Sequence, residues 1–288
     1  MIPAAFEYTR PASLDEALKL LAAGGGGSKI IAGGQSLLPI LKLRLASPER
    51  LIDIGRLPEL KGVRQLPDGR LAVGAMTTYT ELMDSPEQHY GLLKDAVPHI
   101  ADVQIRNRGT VGGSIAHADP VSDLPACLLA LDAEIVARSP SGERTIDAIG
   151  FFKGAFETAL NADEVLTEVR LPAPREDAGS AYVSLMQPAS GYAIVGVAAV
   201  VVRGGTGGPI VFATVAITGV GDIAYRATDV EKALTDSDGS AASIEAAASH
   251  ATDGITVNGD IHADAAYRTA MAAIYTRRAI EAALARID

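Results

Sequence analysis

Two short glycine-containing segments carry the residues in this sequence that are best suited to binding chemistry. The first is Ala32-Gly33-Gly34-Gln35-Ser36-Leu37-Leu38-Pro39, and the second runs from Thr110 to Pro120 and begins Thr-Val-Gly-Gly-Ser. Adjacent glycines followed by a small hydroxyl residue expose backbone N–H groups, which bind phosphate because no side chain blocks the approach. Two such segments, about 80 residues apart, predict a pair of clamps on one diphosphate, the group at the centre of a dinucleotide.

Catalytic and metal-binding patterns are not apparent in the sequence. The five histidines show no metal-ligand spacing, there is no G-x-S-x-G motif, and the single cysteine, Cys127, lies in an apolar run. One thiol cannot form an internal disulfide or hold an iron–sulfur cluster. The pattern G-x-G-x-x-A at Gly219–Ala224 follows a predicted antiparallel strand and is therefore interpreted as a turn. We expect a nucleotide-holding protein with no catalytic and no metal-ligating residues of its own.

Composition limits the other classes of partner. The 288 residues carry 25 basic and 35 acidic side chains, which give a formal net charge of -10. This charge disfavours nucleic acid and anionic membrane surfaces. The N-terminus shows no signal peptide, and the longest apolar run, Tyr192–Val202, is too short to span a bilayer. We expect a cytoplasmic protein.

The elements that must position the glycine segments are predicted from apolar periodicity. Strands Lys29–Ala32 and Leu51–Ile54 flank a helix from Leu37 to Leu45, and the second glycine segment is expected to be a loop. Ser122 or Asp123 caps a helix that ends near Leu131. Beyond the linker Pro172–Asp177, the pattern changes to an antiparallel sheet and helices. The predicted strands are Tyr182–Met186, Tyr192–Val202 and Pro209–Thr218, and the predicted helices are about Ala227–Leu234, Ser240–Ser249 and Asp264–Arg286.

These motifs resemble the FAD-binding subunits of the molybdenum hydroxylases, which include the medium subunit of aerobic carbon monoxide dehydrogenase and the flavin domain of xanthine dehydrogenase. The resemblance covers essentially the whole chain. It comprises the opening Phe6–Pro11, the A-G-G-x-S-L-x-P segment, Gly74–Thr78, Gln104–Thr110 with its T-x-G-G segment, Ser122–Pro125, and the closing Tyr267-Arg268 and Arg277-Arg278.

The resemblance implies an α+β fold. A PCMH-type FAD-binding domain of two α+β subdomains, about 1–56 and 57–175, precedes a C-terminal domain, 176–288, with a three-stranded antiparallel sheet and helices. FAD would lie extended between the two subdomains.

The resemblance also assigns site residues. The backbone of Ala32, Gly33, Gly34, Gln35 and Ser36 would wrap the pyrophosphate, with Leu37 and Leu38 beside it. The other implied cofactor contacts are Thr110, Gly113 and Ser114 of the second segment, His117 close by, Asp123 on the sugar or ribityl hydroxyls, Leu166 near the flavin or adenine, Tyr192 over the isoalloxazine, and Thr77 and Thr78. Ser114 stands where many relatives have asparagine.

Three of these residues have alternative structural explanations. Asp123 is also suited to cap a helix, since a carboxylate accepts hydrogen bonds from first-turn N–H groups. Tyr192 begins an apolar strand, so core packing explains it about as well as flavin stacking does. His117 could equally be an exposed loop residue.

The implied assembly has two further chains. A large subunit would hold the molybdenum cofactor and a small subunit two [2Fe-2S] clusters, in a heterotrimer that is expected to be doubled. Electrons would reach FAD on this chain and leave to a quinone, NAD or another acceptor, with a peripheral membrane or quinone contact of the complex. Carbon monoxide is the preferred substrate, and an aldehyde, xanthine or N-heterocycle is the main rival. A self-sufficient flavin enzyme and a non-redox nucleotide-binding scaffold are the alternatives of other classes.

Overall fold

The computed structural model describes residues 2–205 and 207–287, so Met1, Thr206 and Asp288 lie outside the description. Three main sheets follow one another along the chain, and helices pack on each of them. This arrangement confirms the predicted α+β fold. Within the described ranges, no helix combines the length and apolar character needed to cross a membrane.

The first sheet is small and parallel, with strand order β1-β3-β2. The Ser13 hydroxyl accepts a hydrogen bond from the Glu16 N–H and so begins the first helix, whose apolar face packs on this sheet. The elements are β1 (Glu7–Thr9), α1 (Leu14–Gly24), β2 (Ser28–Ile31), α2 (Leu37–Lys42) and β3 (Arg50–Asp53). The first glycine segment connects β2 to α2.

The second sheet is antiparallel, with strand order β4-β5-β10-β6-β7. The second glycine segment and the helix after it pack against this sheet. The strands are β4 (Val63–Gln65), β5 (Leu71–Gly74), β6 (Glu134–Ser139), β7 (Gly142–Asp147), the small pair β8 (Phe152–Gly154) and β9 (Glu157–Thr158), and β10 (Val165–Leu171). The helices are α3 (Tyr79–Asp84), α4 (Gly91–Ala96), α5 (Val103–Arg106), α6 (Val111–His117), α7 (Asp123–Ala130) and α8 (Ala148–Phe151).

The third sheet is antiparallel and contains the three predicted strands together with a two-residue fourth strand. Gly219–Ala224 connects the third of these strands to the fourth, as its interpretation as a turn predicts. The strands are β11 (Ala178–Met186), β12 (Ala193–Arg203), β13 (Ile210–Thr218) and β14 (Tyr225–Arg226), and the helices are α9 (Thr228–Leu234), α10 (Ala241–Ala248) and α11 (Ala265–Leu284).

Alternation along β12 explains why the third sheet is apolar on both faces. Val197 and Ala199 belong to the cluster that includes α11, whereas Ala198 and Val200 belong to the cluster that includes α7. Side chains alternate between the faces of a strand, so this sheet lies between α11 and α7. Helix α7 therefore packs against both the second and the third sheet, and these contacts fix the position of Asp123 at its start.

Candidate functional site

The first glycine segment is an open turn. Residues Ala32 to Leu37 are all partly exposed. Within the described chain, the backbone N–H groups of Gly33, Gly34, Gln35 and Ser36 donate no hydrogen bond to protein. Four unpaired N–H donors on one exposed turn suit a ligand that carries several anionic oxygens.

Backbone geometry explains the two glycines in this turn. Gly34 has φ +75°, in the left-handed region that side chains with a Cβ disfavour. Gly33 lies against the chain that precedes the second segment, because a Cβ atom built on it would be 2.0 Å from the Arg108 carbonyl oxygen. The first turn therefore approaches the second segment more closely than any other residue type would allow.

The second glycine segment is helical, which corrects the expectation of a loop with free N–H groups. It forms α6, and Thr110 is the N-cap, whose hydroxyl accepts from the Gly113 N–H at 3.1 Å. The Val111 N–H donates to the Thr77 carbonyl and the Gly112 N–H to the Ala75 carbonyl, each at 2.9 Å. The Ser114 N–H donates to the Thr110 carbonyl at 3.0 Å. No N–H from Val111 to Ser114 is left for a ligand.

The two segments nevertheless meet, as their pairing in the sequence predicts. A Cβ atom on Gly113 would lie 3.6 Å from the Ala32 Cβ, and Gly33 contacts the backbone at Arg108 and Gly109. The second segment thus offers a helical surface of small residues beside the turn, with the Gly113 backbone and the Ser114 side chain partly exposed. The Ser114 hydroxyl is 3.0 Å from the Ser122 hydroxyl.

Asp123 forms a buried hydrogen bond near the second segment. It is the first residue of α7 and is 5% exposed. Its Oδ1 accepts from the Tyr182 hydroxyl of β11 at 2.5 Å. Burial raises the pKa of the Asp123 carboxyl to about 6, although the hydrogen bond from Tyr182 opposes this rise. Since Ser122 holds the N-cap position, the alternative that Asp123 caps the helix is wrong.

Tyr192 is not part of a hydrophobic core. It immediately precedes β12, is 45% exposed, and its hydroxyl makes no hydrogen bond within the described chain. Partial burial raises the pKa of Tyr192, and the neighbouring carboxylates of Asp119 and Asp123 raise it further. An exposed aromatic ring close to Asp123 is available to a planar ligand.

His117 is the last residue of α6 and is partly buried. Its ring centroid lies 5.0 Å from that of Phe156, with the planes tilted by 44°. Burial lowers the pKa of His117, with Asp119 opposing and the Lys29 ammonium adding to the decrease. Its place at the end of a helix and its packing on Phe156 correct the alternative of an exposed loop residue.

The three remaining predicted residues make contacts within the protein. Thr77 is fully buried, and its hydroxyl exchanges hydrogen bonds with the Gly62 N–H and carbonyl, so its contact with the ligand stays a prediction. Thr78 caps α3 in a capping box with Glu81. The Leu166 side chain packs in the core of the second sheet, which leaves only its backbone for the predicted contact.

Sequence reasoning missed two tyrosines that surround Asp123. Tyr182 donates a hydrogen bond to it directly, and Tyr79 of α3 is buried, with burial raising its pKa to about 12 and the charge of Asp123 raising it further. No local motif marks either residue, because each meets Asp123 through tertiary packing. Together these residues group hydroxyl donors, one carboxylate and one exposed ring, and Tyr79 lies against Gly109, which in turn lies against Gly33 of the first turn.

Comparisons with known proteins agree over the whole chain. Residues 4–174 match the family model described as the FAD binding domain in molybdopterin dehydrogenase, and residues 180–283 match the CO dehydrogenase flavoprotein C-terminal domain. The carbon monoxide dehydrogenase medium chain of Hydrogenophaga pseudoflava is 41% identical over 288 residues, which cover 99% of each chain. The 6-hydroxypseudooxynicotine dehydrogenase complex subunit alpha of Paenarthrobacter nicotinovorans is 38% identical over 99% of this chain and 97% of that relative.

Among solved structures, the carbon monoxide dehydrogenase from Hydrogenophaga pseudoflava that lacks the Mo-pyranopterin moiety contains a chain with a TM-score of 0.96 and 42% identity, and both chains are covered completely. The donor set described above fits FAD, because the open turn suits a diphosphate, the carboxylate suits sugar hydroxyls and the exposed ring suits a flavin. This chain belongs to the family of FAD-binding flavoprotein subunits of molybdenum-containing dehydrogenases, to which the carbon monoxide dehydrogenase medium chains also belong.

Proposed function

We propose that this chain is the FAD-binding electron-transfer subunit of a molybdenum hydroxylase complex, in which it receives electrons from [2Fe-2S] clusters of a small subunit and delivers them to a quinone or another acceptor. The observation that carries the proposal is the set of four unpaired N–H donors from Gly33 to Ser36 on an exposed turn. Bound FAD would supply the one- and two-electron redox chemistry.

The residues of this chain have distinct roles in the proposal. The turn from Ala32 to Ser36 binds the diphosphate through its N–H groups, with Leu37 and Leu38 beside it. Gly113 and Ser114 provide the facing surface, and Thr110 fixes that surface by capping α6. Asp123 accepts hydrogen bonds from sugar or ribityl hydroxyls, and the Tyr192 ring lies over the isoalloxazine. His117 and the backbone of Leu166 complete the contacts.

The partner subunits follow from what this chain cannot hold. One cysteine cannot ligate two iron–sulfur clusters, and Cys127 is fully buried. We assign the clusters to a small subunit and the molybdenum cofactor to a large one, in a cytoplasmic dimer of heterotrimers. The domain division at 175/176, with subdomains 1–56 and 57–175, is part of the same proposal.

Carbon monoxide is the substrate that we propose for the complex. Its support is the 41% identity with a carbon monoxide dehydrogenase medium chain over 99% of both sequences. The 38% identity with the 6-hydroxypseudooxynicotine dehydrogenase subunit favours an N-heterocycle as the second candidate. The substrate would bind to the large subunit, so the two candidates share every role that we assign to this chain.

Two experiments test the proposal. The purified full-length chain, mixed with FAD, should retain a flavin spectrum after gel filtration, and dithionite should bleach it. A colourless protein would contradict the electron-transfer role and favour a non-redox scaffold. Carbon monoxide should reduce the flavin only when the large and small subunits are present. Reduction of the isolated chain by carbon monoxide would favour a self-sufficient flavin enzyme.

A further inference from the structure

The third sheet, which we also call the C-terminal sheet (β11 to β14), makes hydrogen bonds to the chain both before and after Asp123. The Thr218 hydroxyl at the end of β13 contacts the Pro120 carbonyl at 2.9 Å and the Ser122 carbonyl at 2.8 Å, and the Gly219 N–H donates to the Pro120 carbonyl at 3.0 Å. At the other end of α7, the Thr214 hydroxyl donates to the Ala130 carbonyl at 2.6 Å. The position of α7 is thus set by the third sheet.

Tyr182 reaches Asp123 from this same sheet through a space left by a glycine. A Cβ atom on Gly196, in the interior of β12, would lie 2.1 Å from the Tyr182 hydroxyl oxygen. Glycine in the middle of a strand weakens it, so its occurrence here is explained by the close approach of the tyrosine. The Tyr182 N–H donates to Asp95 at 3.0 Å, which fixes the backbone from which the ring extends.

The two oxygens of the Asp123 carboxylate have different surroundings. Its Oδ1 accepts from Tyr182, and its Oδ2 accepts no hydrogen bond from another residue in the described chain. No lysine or arginine contributes to the pKa of Asp123; the titratable groups close to it are Tyr182 on β11, Tyr79 on α3, Cys127 on α7 and Tyr192 before β12. A buried carboxylate without a cation depends strongly on each hydroxyl donor.

We infer that Tyr182 is a positioning residue for the cofactor site: from the C-terminal sheet it orients Asp123, through the space over Gly196, so that the second carboxylate oxygen faces the FAD hydroxyls. This inference rests on the proposed function, in which Asp123 binds FAD. It gives the C-terminal sheet a part in cofactor affinity although Tyr182 itself does not touch FAD.

The experiment is a titration of the full-length apoprotein with FAD, followed by flavin fluorescence. At pH 7.5, Tyr182→Phe should weaken FAD binding about tenfold, since one hydrogen bond to a charged group is lost. Gly196→Ala should act in the same direction, because the added methyl group displaces the Tyr182 hydroxyl. Tyr225→Phe is the matched control: its hydroxyl donates to the Ala251 carbonyl, away from the site, and FAD affinity should stay unchanged.

Two readouts separate positioning from general stability. Asp123→Asn should also weaken FAD binding, and the double variant Y182F/D123N should bind FAD no more weakly than D123N alone. In Y182F, the loss of affinity at low pH should begin at a higher pH than in the wild type, because the hydrogen bond that lowers the Asp123 pKa is absent.

The inference would be overturned if both Y182F and G196A bound FAD with wild-type affinity, or if the losses of affinity in the double variant were fully additive. In either case, FAD binding by the wild-type chain would still support the proposed function. A wild-type chain that binds no FAD would overturn the proposed function itself. If Y182F does not fold, G196A carries the test: FAD binding should weaken in G196A and stay unchanged in Tyr225→Phe, and wild-type affinity in G196A would overturn the inference.

Discussion

In the first glycine segment the N–H groups of Gly33 to Ser36 donate to no described protein group, whereas in the second every N–H from Val111 to Ser114 donates to a neighbour. In the second segment the Thr77 and Ala75 carbonyls accept from two of these N–H groups, and the N-cap residue Thr110 accepts from the other two through its hydroxyl and its carbonyl. Thr110 has the extended conformation of an N-cap, with φ −118° and ψ 149°, and its hydroxyl turns inward. Ser36 has helical angles, φ −94° and ψ −44°, and makes no capping bond.

Similar glycine motifs can therefore contribute to ligand binding in different ways. The first segment contributes backbone donors, and its glycines allow a left-handed turn and a close approach to Arg108. The second contributes a rigid surface, and Gly112 allows α6 to pack on Ala75. Substitutions in the first segment should therefore act mainly on FAD affinity, and substitutions in the second mainly on folding stability.

The largest effect is expected for Gly33→Ala. The added methyl group would lie 2.0 Å from the Arg108 carbonyl oxygen, so the turn must move away from the backbone at Arg108 and Gly109. FAD affinity should fall by about 100-fold, equivalent to about 2.7 kcal/mol, as measured by flavin fluorescence titration. Gly26→Ala is the control, because no atom lies within 4 Å of its added methyl group. Equal FAD affinities in the two variants would contradict the role of the first turn.

Gly112→Ala should change stability more than FAD affinity. Its methyl group would lie 2.4 Å from the Ala75 Cβ and 2.7 Å from the Ala75 Cα, so the helix and β5 must separate. We expect a loss of about 2–3 kcal/mol in the free energy of unfolding, typical of an overpacked core. Urea unfolding of the apoprotein measures it, with Gly150→Ala as a control that adds a methyl group in open space. An unchanged midpoint would show that α6 is not tightly packed.

The free energy of unfolding should depend on pH through Asp123. The pKa of its carboxyl is raised from 3.8 to about 6 in the folded chain. As the pH rises, the unfolded chain therefore loses this proton at a lower pH than the folded chain does. The contribution of Asp123 to stability therefore falls by about 2 kcal/mol between pH 4 and pH 6. Asp123→Asn lacks this decrease, and its unfolding free energy should rise relative to the wild type over that range. Parallel stability curves would rule out a buried, titrating Asp123.

The smallest stability effect is expected for Tyr192→Ala. The side chain is 45% exposed and outside the hydrophobic clusters, so the free energy of unfolding should change by less than about 0.5 kcal/mol. The absorption spectrum of bound FAD should nevertheless shift, because the ring over the isoalloxazine is removed. An unchanged flavin spectrum would show that the Tyr192 ring does not lie over the isoalloxazine.

Local signals in the sequence were sufficient for much of the fold. The turn at Gly219–Ala224 and the three long C-terminal strands occur as predicted, because turn residues and alternation depend on near neighbours. The second glycine segment was mispredicted as a loop. There the N-cap hydroxyl of Thr110 and the carbonyls of Thr77 and Ala75 outweigh the low helix propensity of two glycines.

The site was less predictable than the fold. Resemblance to the family indicated Asp123 and Tyr192, and both residues act electrostatically on the buried Tyr79, so the structure brings these two predicted residues close to each other. The same resemblance indicated Thr77, whose buried hydroxyl exchanges hydrogen bonds with Gly62. Tyr182 carried no signal, since its contact with Asp123 spans 59 residues of sequence and joins β11 to α7.

Amide hydrogen exchange of the full-length protein, with and without FAD, compares the two segments most directly. Peptic fragments covering residues 32–38 should exchange rapidly in the apoprotein and slowly once FAD is bound, because the N–H groups then donate to the diphosphate. Fragments covering residues 110–116 should already exchange slowly in the apoprotein and change little with FAD. Protection that appears only in the second segment, or in neither, would contradict the assignment of diphosphate binding to the first turn.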